Sequence, residues 1–199
     1  MKIGIAILAG GKNSRFGGVD KAFVLLNKKP IIDYILEKAN VLFDEVIVVT
    51  NNSSKYFSYP NLIFAADSYS EIGPLAGIHA AVSISKSDAV FVVSCDMPLL
   101  DLNLMTELLE FYNNSDSDIL VPKTLDYIQP LHAIYSVKIK EKLAAFIENS
   151  DNYSIRNFYK LVNIDYYQID ENSSYQKSFT NINNQNDLIE VSLKIDFKK

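Results

Sequence analysis

Short, almost purely apolar runs that alternate with longer amphipathic stretches are the strongest constraint on how this chain of 199 residues can fold. The clearest runs cover residues 3–8, 45–50, 62–65 and 89–93, and glycine, asparagine or aspartate follows each within three residues. Runs of this length and composition are typical of strands that are buried on both faces. The pattern predicts an α/β fold, a single Rossmann-like three-layer domain with a mostly parallel central sheet.

The stretches between these runs have helical periodicity. Pro30 opens one of them, which has apolar residues at helical spacing between Ile31 and Leu42. Proline suits a first helical turn because the N–H that it lacks would have no partner there. Further helices are predicted over 75–85, 102–112 with Asp101 as N-cap, 137–147, 154–159 and 187–193, and further strands over 119–122, 131–135 and 161–164. Ligands of such sheets bind at the carboxyl ends of the strands, so functional residues are expected there.

Composition excludes several classes of function. The net charge is −5 and no basic stripe is present, so a nucleic acid is not an expected partner. No apolar run approaches the roughly 20 residues of a membrane span, so a membrane is not expected either. The lone Cys95 cannot form an internal disulfide, which suits a reducing, cytoplasmic location. The length suits one domain over residues 1–199.

A glycine-rich loop follows the first predicted strand. Residues 8–21, LAGGKNSRFGGVDK, contain four glycines and the three cations Lys12, Arg15 and Lys21. Glycine lets backbone N–H groups approach a ligand closely, and successive N–H groups with fixed cations make a pocket for a polyphosphate. The P-loop and dinucleotide fingerprints are both absent. The loop therefore indicates a nucleotide site of another kind, with a plain tight turn as the alternative interpretation.

The loop resembles the signature L-A-G-G-x-x-x-R-x-G-x-x-x-K of the small nucleotidyltransferases. With the sequence GGVDK at 17–21 it is similar to the loop of the molybdenum cofactor guanylyltransferases. This resemblance implies a nucleotidyltransferase fold of glycosyltransferase-A-like type. It also implies an enzyme that transfers GMP from GTP to the terminal phosphate of molybdopterin and releases pyrophosphate. The backbone of the loop would contact the base through Leu8, Ala9 and Gly10, and phosphates would be held by Gly11, Arg15 and Lys21.

Asp96 lies at the mouth of the fourth predicted strand, in the sequence SCDMP at 94–98. Mg²⁺ prefers carboxylate oxygens and bridges them to substrate phosphates. The stretch resembles the metal-site strand end of the same family, which implies that Asp96 holds Mg²⁺ and forms the catalytic set with Arg15 and Lys21. A helix cap or a surface acid is the alternative. Cys95 is interpreted as a small buried hydrophobic residue, since no histidine or lysine is placed to lower the pKa of its thiol.

Three further segments carry the resemblance on the nucleotide side. Asn51 follows the second strand and Asp67 the third, where the family has residues that contact the nucleoside. Turn and capping roles are the alternatives. The loop from Gly73 to Gly77, GPLAG, resembles a family loop that packs against the nucleotide and shapes the side of the second substrate.

The acceptor side is assigned from the second half of the chain. Gln129 belongs to a Q-P-L segment, and Asn181 and Asn183 to FTNIN, which resembles the family's F-x-N-x-N. The family continues with Thr-Pro where this chain has Asn184-Gln185, a departure that bears on helix capping more than on chemistry. His132 is better interpreted as a histidine on a strand than as part of the acceptor groove, and His79 as structural. The stretch 150–178 contains five tyrosines and no assignable motif.

The resemblance implies GTP and molybdopterin as substrates, and transient contact with proteins that deliver the cofactor and with the molybdoenzymes that receive it. Three alternatives stay open. A cytidylyltransferase for the same cofactor would share the fold, because backbone groups that read the base are the same whatever the side chains. A nucleotidyltransferase for another small metabolite is more distant. A non-catalytic cofactor carrier would have no need of Arg15, Lys21 and Asp96 together.

Overall fold

The protein is described by a computed structural model over residues 1–10, 20–67, 69, 72–125 and 127–196. The strands are β1 (Ile3–Leu8), β2 (Leu25–Leu26), β3 (Lys29–Pro30), β4 (Val46–Val49), β5 (Leu62–Ala65), β6 (Ala89–Ser94), β7 (Ile119–Lys123), β8 (His132–Ser136) and β9 (Ile164–Gln168). Seven of them form one sheet in the order β5-β4-β1-β6-β8-β7-β9. Only β8 runs antiparallel to its neighbours within this sheet, and the other pairings are parallel.

Helices cover both faces of the sheet. They are α1 (Ile31–Leu42), α2 (Pro74–Ile84), α3 (Leu102–Asn113), α4 (Lys140–Asn149), α5 (Ile155–Tyr159) and α6 (Gln185–Asp196). One core contains buried residues of α1, α3 and α6, and a second contains residues of α2, α4 and α5. The central strand serves both, because Ile5 and Ile7 point into the first core while Ala6 and Leu8 point into the second. The predicted three-layer α/β fold with a mostly parallel sheet is confirmed.

Most predicted elements lie where the sequence indicates. β1 and β5 have the predicted bounds, and Asp101 caps α3, its Oδ1 accepting the N–H groups of Asn103 at 2.9 Å and Leu104 at 3.3 Å. The strand predicted over 161–164 is wrong, because Leu161 donates its N–H to Phe158 and still belongs to the turn that ends α5. The true strand, β9, begins at Ile164, and its charged and tyrosine residues hide it from a search for apolar runs.

The structure also contains a hairpin with a two-residue turn that the sequence pattern does not predict. β2 and β3 pair antiparallel around Asn27 and Lys28, which have φ angles of 49° and 67°. Positive φ at both central residues is the geometry of a tight hairpin turn, and asparagine is one of the residues that tolerates it. The strands are too short to give a periodic signal.

The topology brings the candidate residues to one edge of the sheet. β5, β4, β1 and β6 are parallel, so the segments that follow them, with Asp67, Asn51, Gly10 and Asp96, emerge at the same edge. β8 runs the opposite way, so the segment that precedes it, with Gln129, lies at that edge as well. None of the helices in the described part of the chain is both long and apolar enough to cross a membrane.

The opposite edge of the sheet is held by a buried carboxylate. Glu45 Oε2 accepts hydrogen bonds from the hydroxyls of Ser85 at 2.6 Å and Ser87 at 2.7 Å, and Oε1 accepts the N–H of Lys86 at 2.8 Å. Burial alone would raise the pKa of Glu45, but these hydrogen bonds outweigh it and hold the pKa below its usual value of 4.5. A Cβ on Gly4 would lie 2.5 Å from Glu45 Oε2, so glycine makes room for the carboxylate.

Replacing this carboxylate with an amide is expected to destabilise the fold. Hydrogen bonds to a charged group contribute about 1.5–3 kcal/mol each, and a Glu45→Gln variant should lose an amount of that order at neutral pH. Because the pKa is lower in the folded state, the stabilisation is present above pH 4.5 and is lost as the pH falls through the lowered value. Urea unfolding of both proteins at pH 7 and pH 4 would measure the difference.

The control is Glu37→Gln, since Glu37 is exposed and paired on the surface with Lys29. Its free energy of unfolding should differ little from that of the unmodified protein. A Glu45→Gln variant as stable as this control at pH 7, or one whose deficit grows towards pH 4, would contradict the assignment.

Candidate active site

Three polar side chains from distant parts of the chain meet at the carboxyl edge of the sheet. Lys21 Nζ lies 3.1 Å from Asp96 Oδ2 and donates to Asn183 Oδ1 at 2.9 Å. The side chains of Lys21 and Asp96 are 20% and 16% exposed, so each is shielded from water but reachable by a ligand. The structure thus brings together three of the residues that the sequence predicted for the site.

Asp96 is held in place by residues of β1 and β6 and of the segment before α6. Ser94 donates its hydroxyl to Asp96 Oδ1 at 2.6 Å, so both carboxylate oxygens are engaged. The N–H of Cys95 donates to the carbonyl of Leu8 at 3.1 Å, which extends the pairing of β1 and β6 past their ends. The N–H of Ile182 donates to the carbonyl of Asp96 at 2.9 Å. The backbone of Asp96 is therefore fixed from the sheet side and from the C-terminal side.

Lys21 begins a 3-10 turn, Lys21–Phe23, that Asp20 caps. Asp20 Oδ1 accepts the N–H of Ala22 at 3.2 Å, and its Oδ2 lies 3.4 Å from Lys55 Nζ. Asp20 is buried, so its carboxylate ties the end of the glycine-rich loop to the segment after β4. Neither Asp20 nor Lys55 is predicted as a site residue, because residues 35 positions apart give no local signal.

Two residues predicted on the nucleoside side are also in contact. Asn51 Oδ1 accepts the N–H of Asp67 at 3.2 Å, and Asp67 Oδ1 accepts the N–H of Tyr69 at 2.9 Å. The bond between Asn51 and Asp67 links the ends of β4 and β5, which are neighbours in the sheet, and the bond between Asp67 and Tyr69 is local. The turn role that the sequence left open is present at Asp67, whereas Asn51 joins two strand ends. The contacts of both residues to a nucleoside stay a prediction.

The GPLAG loop has one open glycine and one buried glycine. Gly73 precedes Pro74 at the start of α2 and is exposed. Its φ angle of +78° is a conformation that favours glycine. Gly77 is buried, and a Cβ there would lie 3.3 Å from Leu8 Cδ1 and Cδ2. Close packing of α2 on β1 accounts for Gly77, while a contact of either glycine with substrate stays a prediction.

The base-reading segment is only partly free for a ligand. The carbonyl of Leu8 accepts from Cys95, and the N–H of Ala9 donates to Val49 at 2.9 Å, so both groups already extend the sheet. Gly10 has open space at its Cα, with no described atom within 4 Å of a built Cβ. Gly11, Lys12 and Arg15 lie outside the described residues, and the phosphate contacts of Gly11 and Arg15 stay a prediction.

Buried tyrosine hydroxyls fix the segment that carries Gln129. Tyr135 donates its hydroxyl to the carbonyl of Pro130 at 2.7 Å, and the hydroxyl of Tyr159 lies 2.8 Å from that of Tyr135. A hydroxyl has one hydrogen, so with Tyr135 donating to Pro130, Tyr159 must donate to Tyr135. The N–H of His132 donates to the carbonyl of Gln129 at 3.1 Å and closes the turn.

A second pair of tyrosines converges on one carboxylate of α3. Tyr167 donates to Glu107 Oε2 at 2.8 Å and Tyr175 to Glu107 Oε1 at 2.6 Å. Tyr175 belongs to the 3-10 turn Ser174–Phe179, which leads directly into the segment of Asn181 and Asn183. The tyrosine-rich stretch without a motif thus anchors both acceptor-side segments to the rest of the fold.

His132 is enclosed between aromatic rings. Its ring centroid lies 5.2 Å from those of Phe91 and Phe179, and neither ring nitrogen has a hydrogen-bond partner among the described residues. Burial lowers the pKa of His132 to about 3, so the ring is neutral. The interpretation as a histidine on a strand is confirmed. His79 lies on α2 against the ring of Tyr69, where burial, with a contribution from Lys140, lowers its pKa.

Cys95 is buried, and burial raises the pKa of its thiol to about 12. A thiol in this state is a weak nucleophile at neutral pH, because the thiolate is the reactive form. The interpretation as a buried hydrophobic residue is confirmed, and nucleophilic chemistry at this position is not supported.

The donor set fits a magnesium ion better than a metal that needs an all-protein cage. Asp96 supplies carboxylate oxygens and Asn183 an amide oxygen, and the described residues contain no group of three or more His, Cys, Asp or Glu suited to a metal. Mg²⁺ keeps several water ligands and is bound through one or two carboxylates plus substrate phosphates. Hard oxygen donors that are shielded from water but still reachable by a ligand fit that requirement.

Comparison with known proteins agrees with this architecture. The MobA-like NTP transferase domain matches residues 5–164 of the chain. The chain belongs to the MobA-like NTP transferase family. The match begins in β1 and ends at the first residue of β9, so it includes Lys21, Asp96 and Gln129 but not Asn183.

Similar proteins cover nearly the whole of this MobA-like transferase. A molybdenum cofactor guanylyltransferase of Vibrio parahaemolyticus is 32% identical over 182 residues, 92% of this chain and 91% of that protein. A probable molybdenum cofactor guanylyltransferase of Clostridium perfringens is 36% identical over 162 residues, 80% of this chain and 79% of that protein. The crystal structure of molybdopterin-guanine dinucleotide biosynthesis protein A from Archaeoglobus fulgidus superposes with a TM-score of 0.82 at 29% identity, covering 100% of both chains.

Proposed function

We propose that this MobA-like transferase joins GMP from GTP to the terminal phosphate of molybdopterin and releases pyrophosphate. The observation that carries the proposal is the contact of Lys21 with Asp96 and Asn183 at the carboxyl edge of the sheet. These side chains supply a cation for phosphates, a carboxylate for a metal and an amide that orients the acceptor. The names of relatives that are 32% and 36% identical support the choice of guanine nucleotide and acceptor.

The reaction needs charge neutralisation more than a strong base. A phosphomonoester has a second pKa near 6, so the acceptor phosphate is already largely dianionic at neutral pH. The obstacle is repulsion between this phosphate and the triphosphate it attacks. Positioning and electrostatic stabilisation therefore dominate, as in other phosphoryl transfers. The described site offers neither a Ser-His-Asp triad nor a reactive cysteine, which is consistent with this mechanism.

Each residue of the cluster has a separate task. Lys21 neutralises phosphate charge, Asp96 is the ligand for Mg²⁺, and Asn183 orients the acceptor or the metal-bound phosphate. A bound Mg²⁺ ion would supply Lewis-acid stabilisation of the α-phosphate and the leaving pyrophosphate. Ser94 keeps the carboxylate of Asp96 turned towards the site through its 2.6 Å hydrogen bond.

The rest of the site map belongs to the same proposal. On the nucleotide side it includes the backbone of Leu8, Ala9, Gly10 and Gly11 and the side chains of Arg15, Asn51 and Asp67. On the acceptor side it includes Gly73, Gly77, Gln129 and Asn181. We assign residues 1–199 to one nucleotidyltransferase domain that works in the cytoplasm and contacts cofactor-delivery proteins and acceptor molybdoenzymes transiently.

The function is tested by incubating the purified protein with Mg²⁺, molybdopterin and either GTP or CTP. The proposal expects pyrophosphate release and a guanine dinucleotide product with GTP and little of either with CTP. A preference for CTP would move the enzyme to the cytidylyltransferases, which share the fold. Binding of molybdopterin without turnover of either nucleotide would indicate a carrier.

The metal assignment predicts that Asp96→Ala loses nearly all turnover while the protein stays folded. Without the carboxylate no described side chain replaces the proposed ligand, and Lys21 loses its ion pair. Pyrophosphate release measures the loss, and circular dichroism checks the fold. Asp116→Ala is the matched control, because Asp116 is exposed before β7 at the opposite edge of the sheet. Normal turnover in a folded Asp96→Ala protein would remove Asp96 from the mechanism.

Lys21→Ala should weaken the binding of GTP about tenfold or more and that of guanosine little, because the lost interaction is a charged contact to phosphate. Calorimetric titration with each ligand separates the two effects. Lys29→Ala serves as control, since Lys29 is a partly exposed cation whose partner is Glu37 on the surface. Equal weakening for GTP and guanosine would make Lys21 a structural residue of the loop.

A further inference from the structure

A capping box begins α6 immediately after Asn183. Asn184 precedes the helix, and its Oδ1 accepts the N–H groups of Asn186 at 2.8 Å and Asp187 at 3.1 Å. Asp187 returns the bond, its Oδ2 accepting the N–H of Asn184 at 3.1 Å. A reciprocal pair of this kind satisfies N–H groups that a helix cannot bond internally.

Asp187 makes one more hydrogen bond than a capping box requires. The same Oδ2 accepts the N–H of Asn183 at 2.7 Å, the shortest bond of the set. Asn183 lies outside the helix, so this bond adds nothing to the helical ladder. It fixes the peptide of the residue whose side chain accepts from Lys21.

The peptide of Asn183 is therefore held from both sides. On its N-terminal side Ile182 is fully buried and donates its N–H to the carbonyl of Asp96 at 2.9 Å. On its C-terminal side Asp187 accepts the N–H of Asn183. With the backbone fixed on both sides, the Cβ of Asn183 has a fixed place, from which its side-chain amide oxygen reaches Lys21 Nζ at 2.9 Å.

The residue at the first helical position makes the carboxylate more important. A proline at the first helical position presets φ for helix entry, but Gln185 occupies that position here. The direction in which the chain enters α6 then depends on the side-chain bonds of Asn184 and Asp187. Both contacts of Asp187 are to backbone N–H groups, so the residue acts through Asn183 and not on a substrate.

We propose that Asp187 is a positioning residue for the transfer reaction, which holds Asn183 against Lys21 and Asp96 through its bond to the Asn183 N–H. The inference rests on the proposed function. Partners one shell away from reacting groups commonly change activity about 10- to 100-fold when they are removed, and a loss of that size is expected here.

Two variants separate positioning from helix capping. Asn184→Ala removes the bonds to Asn186 and Asp187 and weakens the cap, but leaves the bond between Asp187 and Asn183. Asp187→Ala also weakens the cap and removes the bond to Asn183 as well. Both should lower the melting temperature similarly. Asp187→Ala alone should lower kcat about 10- to 100-fold with the KM for GTP unchanged.

Two further measurements complete the test. Asp187→Glu keeps a carboxylate at a position where capping boxes accept glutamate, and should recover most of kcat. The backbone N–H of Asn183 should exchange its hydrogen with solvent faster in Asp187→Ala than in Asn184→Ala. If Asp187→Ala does not fold, Asp187→Asn takes its place, with a smaller loss of kcat because its amide oxygen still accepts.

The outcomes distinguish the inference from the proposed function. If the unmodified protein makes no guanine dinucleotide, the proposed function fails, and the exchange rate of the Asn183 amide alone reports on Asp187. If the unmodified protein is active and the two alanine variants lose kcat equally, or Asp187→Ala loses none, the positioning role is overturned. A loss confined to Asp187→Ala and reversed in Asp187→Glu supports it.

Discussion

Burial of β1 on both faces is the constraint on which the rest of this structure depends. Ile5 and Ile7 fill one core and Ala6 and Leu8 the other, so no residue of the strand can shift register without placing side chains in the wrong layer. The strand ends abruptly at the glycine-rich loop, and the pairing of Leu8 with Cys95 carries β6 forward to Asp96. The distance between the proposed nucleotide-binding backbone after β1 and the proposed metal ligand Asp96 is therefore set by one buried strand.

The sequence predicted the nucleotide half of the molecule well for a physical reason. Buried parallel strands must be apolar, and the chain must turn sharply after them, so both their position and the polar residues at their ends are visible in a linear pattern. Asn51, Asp67 and Asp96 were placed by that logic, and the structure brings them to one edge. The partners of Lys21 could not be read locally, because Asp96 and Asn183 are 75 and 162 positions away.

The acceptor half was harder to predict because polar side chains build much of it. β9 contains an aspartate and two tyrosines, so its start was misplaced, and the tyrosine-rich stretch gave no motif. The structure gives these residues a shared task. Hydroxyls of Tyr135 and Tyr159 fix the carbonyl of Pro130, and those of Tyr167 and Tyr175 meet at Glu107. Such pairings depend on tertiary geometry and leave no periodic trace in the sequence.

The antiparallel strand β8 of the seven-stranded sheet has a consequence for how such an enzyme can diverge. The loop with Gln129 reaches the carboxyl edge before β8 begins, as part of a hairpin with β7, whereas the nucleotide-side loops follow parallel strands. Hairpin loops tolerate insertions and replacements because their strands pair with each other regardless of what joins them. The proposed acceptor loop can therefore change without disturbing the strands that precede Gly10, Asn51 and Asp96. The fold thus places the proposed nucleotide side after parallel strands and the proposed acceptor side on a hairpin loop.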